Sequence, residues 1–310
     1  MRRITALGAA LSSATLLHSA TLQQREERTR RKVQRLRLNT GAEMPALGFG
    51  TYLTGGDELR WALRCAIAVG YRHIDTAHGY QNEEIVGDAI AKSGLPRESF
   101  FITTKLWCSD HGTESTRAAI DASLRALGTP YIDCYLMHAP DNQGTSAVDI
   151  RELRRQSWLV MEESHRAGTL RAIGVSNFEP RHIEDLRRWG SVTPAVNQVE
   201  LHAYLSQSEL RDYCARHGIV LQSYGSVGAD GLLDDPEIQA VAAAHGRTPA
   251  QVSLRHSLQR GCAVLAKSIT PERIAQNFAI FDFELSSLDV RRLDALERGE
   301  RTYWDNTDVP

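Results

Sequence analysis

Gly70-Tyr71-Arg72-His73-Ile74-Asp75 decides the fold, because a glycine that can close a helix is followed at once by a short strand-like run ending in a carboxylate. Two similar runs follow, one βα repeat apart: Phe100 to Lys105, and Tyr131 to Met137 with His138 directly after it. In a barrel of parallel strands the carboxyl ends converge on one face. We therefore expect Asp75, Tyr80, Lys105 and His138 to meet in one pocket.

The rest of the chain alternates short apolar runs with longer amphipathic segments, which predicts eight βα units. We predict strands at 47–51, 71–75, 100–105, 132–138, 170–175, 195–198, 220–224 and 264–267. We predict helices at 58–69, 83–91, 114–127, 150–166, 181–189, 206–217, 236–245, 249–260 and, capped by Ser286, 286–297. Glycines suited to the left-handed residue that closes a helix stand at positions 70, 94, 128, 168 and 218. The predicted fold class is α/β, a (β/α)8 TIM barrel.

Smaller elements flank the predicted barrel at both ends. Residues 33–38 and 43–49 are joined by Asn39-Thr40-Gly41, which is turn chemistry and predicts an N-terminal β-hairpin. A short C-terminal tail, 302–310, follows the last helix. We assign residues 33–310 to one barrel domain and residues 1–32 to an N-terminal extension.

The composition excludes several classes of protein. Lys and Arg number 36 against 38 Asp and Glu, and this near-neutral balance argues against a nucleic-acid or membrane-surface binder. The five cysteines are odd in number and never form Cys-x-x-Cys, so neither a disulfide framework nor a zinc site is indicated. We expect reduced thiols, no metal, and a monomer in the cytoplasm.

The extension differs from the remainder in composition. It has no acid before Gln24, and a basic run spans Arg25 to Arg37. Its apolar stretch is too short and too polar to span a bilayer. A solvated extension is the favoured interpretation, while an organelle transit peptide and, less favoured, a secretory signal stay open.

The four strand-end residues suggest acid catalysis at an oxygen. A tyrosine phenol titrates near pH 10, and a neighbouring ammonium lowers that pKa by about 1 to 3 units. We expect Lys105 to act on Tyr80 in this way, Asp75 to orient Lys105, and His138 to align a carbonyl oxygen. Such a site suits the protonation of an oxygen on which negative charge develops, as in reduction of an aldehyde or ketone by hydride.

These residues carry a family resemblance. Gly70-Tyr71-Arg72-His73-Ile74-Asp75-Thr76-Ala77, continued by Tyr80-Gln81-Asn82-Glu83, resembles the signature of the aldo-keto reductases, and the likeness runs from about Val33 to Val309. In that family an Asp, a Tyr, a Lys and a His form a catalytic tetrad. The resemblance implies those roles for Asp75, Tyr80, Lys105 and His138.

The resemblance also implies a nicotinamide cofactor. Gly174 to Phe178 and Asn197 to Glu200 are similar to the segments that hold the nicotinamide carboxamide, and 267–274 to the adenosine-phosphate loop. The implied cofactor residues are Gly50, Thr51, Tyr52, Asp75, Ser176, Asn177, Gln198, Tyr224, Lys267, Ser268, Arg273 and Asn277, with the Tyr224 ring on the nicotinamide. Lys267, Ser268 and Arg273 suit a ribose 2′-phosphate, which favours NADPH over NADH.

Substrate choice stays open. Tyr52, Trp107, His138 and Trp304 are candidates for the pocket wall. Ala139-Pro140 stands where many family members have Trp-Pro, which predicts a roomier or less aromatic edge beside His138. The short tail implies an open pocket for small aldehydes, dicarbonyls or sugar aldehydes.

Three other classes of protein are alternatives to this interpretation. A Rossmann dehydrogenase fits poorly, because Gly48-Phe49-Gly50 is followed by Leu53 where the third glycine is needed. A metal-dependent barrel hydrolase would use His73, His78, His138, His202 and Asp75, but their spacing is not that of metal ligands. A non-catalytic NADPH-binding regulatory or structural protein on the same scaffold is the stronger alternative, against which an intact tetrad predicts turnover.

Overall fold

In this computed structural model, which describes residues 33–141 and 147–310, eight parallel strands close into a barrel. The strands are β3 (Leu47–Gly50), β4 (His73–Asp75), β5 (Phe101–Leu106), β6 (Cys134–Met137), β7 (Ile173–Ser176), β8 (Val196–Glu200), β9 (Val220–Tyr224) and β10 (Ala263–Ala266). They follow one another around the barrel in chain order, and β10 pairs with β3 to close it. A two-stranded antiparallel hairpin, β1 (Arg35–Arg37) with β2 (Glu43–Pro45), precedes them. The predicted barrel and hairpin are confirmed.

Ten α-helices lie in the described residues. They are α1 (Gly56–Val69), α2 (Glu83–Ala91), α3 (Thr113–Leu127), α4 (Ala147–Arg166), α5 (Pro180–Trp189), α6 (Ser208–Arg216), α7 (Pro236–His245), α8 (Pro249–Gln259), α9 (Pro271–Phe278) and α10 (Ser287–Asp294). Local chemistry explains their ends. Thr248 with Gln251, and Ser286 with Asp289, form capping boxes, and the five predicted closing glycines all have positive φ.

The core lies between the strands and the helices. All six residues of β5 are buried, as expected of a parallel strand covered on both faces. The largest side chains in the main cluster include Phe49, Trp158 and Phe178, each almost completely buried. This packed interior leaves the carboxyl ends of the strands as the place where polar side chains can face a pocket.

Two predictions about elements differ from the structure. Helix α9 was not predicted, because its eight residues form only two turns and read as a charged loop. Several strands are shorter than predicted: Tyr71 is buried but lies outside β4, since burial of a side chain does not require its backbone to join the sheet.

The five cysteines are free thiols, four of them buried. Burial raises the pKa of Cys108 to about 12 and that of Cys262 to about 11. Cys65, on α1, is the partly exposed one. Within the described ranges, no helix is both long enough and apolar enough to cross a bilayer. The predictions made for residues 1–32 fall outside the described residues, and they remain predictions.

Candidate active site

The fold brings the four strand-end residues together. Asp75 ends β4, Lys105 lies near the end of β5, and His138 directly follows β6. Tyr80 closes a short 3-10 turn, His78–Tyr80, between β4 and α2. Asp75, Tyr80 and His138 line one pocket of about 140 Å³, and Lys105 lies behind them with none of its surface exposed.

Lys105 is the centre of a hydrogen-bonded chain. Its Nζ donates to Asp75 Oδ1 at 2.6 Å, to the Thr76 carbonyl at 2.9 Å and to the Tyr80 hydroxyl at 3.4 Å. The other carboxylate oxygen of Asp75 accepts from Gln198 Nε2 at 2.6 Å. The predicted contacts of Lys105 with Asp75 and Tyr80 are therefore present, and the bond to Asp75 is much the shorter.

The expectation that Lys105 lowers the pKa of Tyr80 is wrong for the cofactor-free protein. Burial, followed by the negative charge of Asp75, holds the pKa of Tyr80 well above its usual range, whereas a lowered pKa was expected. Lys105 Nζ lies 2.6 Å from the Asp75 carboxylate but 3.4 Å from the Tyr80 hydroxyl. The carboxylate therefore neutralises most of the ammonium charge, and little of it remains to stabilise a phenolate at Tyr80. Burial also lowers the pKa of Lys105, against the attraction of Asp75.

His138 sits among aromatic rings. Its imidazole lies edge-on to Tyr80 and Trp107, with centroids 5.5 and 4.9 Å apart, and stacks on Trp304 at 5.4 Å with an interplanar angle of 6°. Burial, with Lys105 as a second cause, lowers the pKa of His138 well below its usual value. Its Nδ1 is buried without a hydrogen-bond partner among the described residues. The ring is therefore neutral at pH 7.

The residues expected around a nicotinamide line the same pocket. Ser176, Asn177, Gln198 and Tyr224 are all part of its wall. They already bond to one another: the Ser176 hydroxyl donates to the Gln198 carbonyl at 2.7 Å, and the Tyr224 hydroxyl to Asn177 Oδ1 at 2.7 Å. Asn177 also donates from Nδ2 to the His138 carbonyl at 2.9 Å. A bound carboxamide would have to share or replace these bonds.

The predicted phosphate end lies at the start of α9. Lys267 and Arg273 are exposed, and neither has an ion-pair partner within residues 33–141 and 147–310. The Ser268 hydroxyl accepts from the Thr270 amide at 3.1 Å, and Asn277 is buried one turn after Arg273. Two exposed, unpaired cations beside a hydroxyl fit a phosphate group.

Aromatic side chains form a large part of the pocket wall. Tyr52, Trp107 and Trp304 line it as expected, together with Gly50. Trp304 stacks on His138, and Ala139 is fully buried. The roomier or less aromatic edge expected from Ala139-Pro140, relative to family members with Trp-Pro, stays a prediction. Tyr303 and Leu265 line the pocket and were not predicted. The sequence analysis also did not predict that Glu200 holds the C-terminal tail. The Glu200 carboxylate accepts hydrogen bonds from the Thr302 and Tyr303 amides at 2.8 and 3.1 Å.

The histidines of the metal-hydrolase alternative have other partners. His73 contacts the Pro45 carbonyl and the Thr103 hydroxyl at 3.1 and 3.0 Å, and His202 contacts Glu200 at 3.0 Å. His78 lies 3.4 Å from Glu83. Among the described residues, no three His, Cys, Asp or Glu side chains are grouped as metal ligands would be.

The structure is thus a closed parallel barrel that carries a phenol, an ammonium, a carboxylate and an imidazole at or near its strand ends. The chain belongs to the aldo/keto reductase family, since the sequence model of the Aldo/keto reductase family matches residues 46–298. Members of that family generally use nicotinamide cofactors and act on carbonyl compounds.

Individual relatives agree with this assignment. An aldo-keto reductase of Mycolicibacterium smegmatis is 45% identical over 267 residues, covering 86% of this chain and 94% of that protein. A glyoxal reductase of Bacillus subtilis is 42% identical with the same coverage, 86% and 94%. The crystal structure of an aldo/keto reductase from Brucella melitensis superposes with a TM-score of 0.81 at 42% identity, covering 86% of this chain and all of that one.

Proposed function

We propose that this protein reduces aldehydes and ketones to alcohols with NADPH, and that Tyr80 is the general acid. The observation that carries the proposal is the buried chain Asp75–Lys105–Tyr80, whose phenol faces an aromatic pocket. A small carbonyl compound is the proposed substrate, and the protein is proposed to act as a monomer in the cytoplasm. We further propose the domain division into an extension, 1–32, and a catalytic barrel, 33–310.

The side chains act on the carbonyl oxygen. Tyr80, whose pKa lies above its usual range, is fully protonated at pH 7 and so has a proton to give. As that proton leaves, Lys105 donates a hydrogen bond to the phenolate oxygen that forms. One ring N–H of the neutral His138 holds the substrate oxygen against the phenol, and the aromatic wall excludes water.

The cofactor residues are proposed from position and charge. Ser176, Asn177, Gln198 and Tyr224 would hold the nicotinamide, with Gly50, Thr51 and Tyr52 beside it. Lys267, Ser268 and Arg273 would hold a ribose phosphate, with Asn277 near the adenine; the exposed positive charges of Lys267 and Arg273 support the phosphorylated cofactor. When bound, NADPH supplies the hydride for the carbonyl carbon.

Replacing Tyr80 with phenylalanine tests the acid. We expect kcat to fall about 10²- to 10⁴-fold, because general acid catalysis contributes on that order, while NADPH binding is unchanged. NADPH oxidation by absorbance and cofactor binding by fluorescence are the measurements. Tyr131→Phe is the matched control, since it also removes a buried hydroxyl, one without a partner among the described residues, and should keep the wild-type rate. Near-normal turnover of Tyr80→Phe refutes the acid assignment.

The same NADPH oxidation assay distinguishes a reductase from a non-catalytic NADPH-binding protein. A panel of small aldehydes, ketones and dicarbonyls should be run with the wild-type protein; the relative named glyoxal reductase supports including dicarbonyls. Tight NADPH binding without turnover of any compound in the panel would favour a non-catalytic, NADPH-binding role.

A further inference from the structure

Two turns of the barrel face each other across the pocket. Residues 51–54 follow β3 and carry Tyr52, and the turn His78–Tyr80 carries the proposed acid. The rings of Tyr52 and Tyr80 lie 5.0 Å apart at their centroids. Tyr52 is 46% exposed, so packing alone does not fix its ring. Some other contact must set the distance between the two turns.

Asn82 joins these turns. It stands two residues after Tyr80 and is 2% exposed. Its Nδ2 donates to the Thr51 and Thr54 carbonyls, both at 3.0 Å, and its Oδ1 accepts from the Thr76 hydroxyl at 2.5 Å. Both amide hydrogens thus bond to the turn that carries Tyr52. The oxygen accepts its shorter bond from Thr76, in the segment that leads to Tyr80, and a longer one, at 3.5 Å, from the Thr51 hydroxyl.

Backbone conformation explains why the turn needs this bridge. Leu53 has a φ of +52°, a left-handed conformation that is unfavourable for a leucine. The residue is 77% exposed, so burial cannot offset this strain. The two carbonyls that Asn82 binds belong to Thr51 and Thr54, on either side of Leu53. The amide therefore clamps the strained residue from both ends.

We propose that Asn82 is a positioning residue for carbonyl reduction. It holds the turn 51–54 so that the Tyr52 ring forms the part of the pocket wall next to Tyr80. This inference rests on the proposed function for its effect on substrate. Its structural part does not depend on turnover. Tyr80 itself is held by Lys105 and by its amide, which donates to the Ala77 carbonyl at 3.0 Å, so Asn82 acts on the wall and not on the acid.

The first test uses the cofactor-free protein. The Thr51 amide donates to the Asp75 carbonyl at 3.1 Å and reports whether the turn is held. Asn82→Ala should speed hydrogen exchange of this amide about tenfold or more, since two hydrogen bonds that hold the turn are lost. Thr76→Val leaves the Asn82 amide oxygen with only the 3.5 Å bond from the Thr51 hydroxyl. It should have a smaller effect, and it covers the case in which Asn82→Ala fails to fold.

Asn39→Ala is the matched control. Its Nδ2 also bridges two backbone carbonyls, Thr193 at 3.2 Å and Pro194 at 3.0 Å, but at the amino end of β8, away from the pocket. Thr51 exchange should be unchanged in this variant. The proposal is overturned if the Thr51 amide exchanges as slowly in Asn82→Ala as in the wild type. It is also overturned if this amide exchanges as fast in Asn39→Ala as in Asn82→Ala.

The second test asks whether the effect passes through Tyr52. Asn82→Ala should raise KM for the carbonyl substrate about five- to tenfold with kcat changed less than about twofold. In a Tyr52→Ala background the same replacement should change KM less than about twofold, because the ring it positions is gone. An equal KM effect in both backgrounds, or a fall in kcat alone, contradicts the positioning role. A wild-type protein without turnover refutes the proposed function but leaves the exchange test intact.

Discussion

The buried pair of Lys105 and Asp75 gives a prediction in which stability and catalysis separate. Lys105 is 0% exposed and Asp75 is 3% exposed, and Lys105 Nζ lies 2.6 Å from Asp75 Oδ1. Removing one partner strands a buried charge, which costs about 3–5 kcal/mol, whereas removing both charges together costs much less. We expect Lys105→Met to lower the melting temperature by on the order of 10 °C, and Lys105→Met with Asp75→Asn to recover most of that loss.

The two single variants should differ in their pH dependence. Stranded by Lys105→Met, the Asp75 carboxylate keeps one bond from Gln198. Stranded by Asp75→Asn, Lys105 can lose its proton, because burial already lowers its pKa below the unfolded value of 10.5. The unfolded chain then binds more protons than the folded one, so the stability of Asp75→Asn should rise as pH increases from 7 toward about 9.

Urea unfolding followed by circular dichroism measures the free energies, and NADPH oxidation measures turnover. The double variant should be stable but inactive, since Tyr80 then lacks the cation that stabilises its conjugate base. Arg60→Met is the control: its pair with Asp88 is 48% exposed on the arginine side, so its loss should cost less than about 1 kcal/mol. If the double variant is as unstable as the worse single variant, the pair is not held by charge compensation and the reasoning fails.

Two further predictions concern the cofactor and acid stability. Arg273→Ala should raise KM for NADPH about 10- to 100-fold while leaving KM for NADH unchanged, because a charge-assisted bond to phosphate contributes about 1.5–3 kcal/mol. Arg291→Ala, at another exposed arginine, is the control. An unchanged KM for NADPH in Arg273→Ala would exclude Arg273 from the phosphate site. His73 is fully buried and its pKa is lowered to about 4 by desolvation, so its contribution to stability is present above pH 6.5 and is lost as pH falls toward 4. Between those values the wild type should lose about 3 kcal/mol more than His73→Gln by urea unfolding, and parallel curves for the two proteins would contradict the buried neutral imidazole.

The sequence predicted the features that depend on local chemistry. Strand-end residues, helix-closing glycines and the Ser286 capping box follow from spacing and residue type within a few positions, and they agree with the structure. The bond between Gln198 and Asp75 joins residues 123 positions apart, and no local pattern reports it. The pKa of Tyr80 was mispredicted for a related reason: the depth of burial and the competing claim of Asp75 on Lys105 are properties of the packed molecule. Tyr303 was missed because the tail carries no periodicity to show which side faces the barrel.

The arrangement of the thiols has a consequence for a protein whose proposed substrates are electrophiles. Only the thiolate reacts readily with such compounds, and burial raises the pKa of Cys108 and Cys214 to about 12 and that of Cys262 to about 11. Cys134 is fully buried, and burial raises its pKa as well. Burial also raises the pKa of Cys65 on α1, but this thiol is the one of the five that is only partly buried. Brief exposure of the native protein to a maleimide should therefore add one label per chain, at Cys65, as read by intact mass. That residue offers an attachment point for a fluorophore.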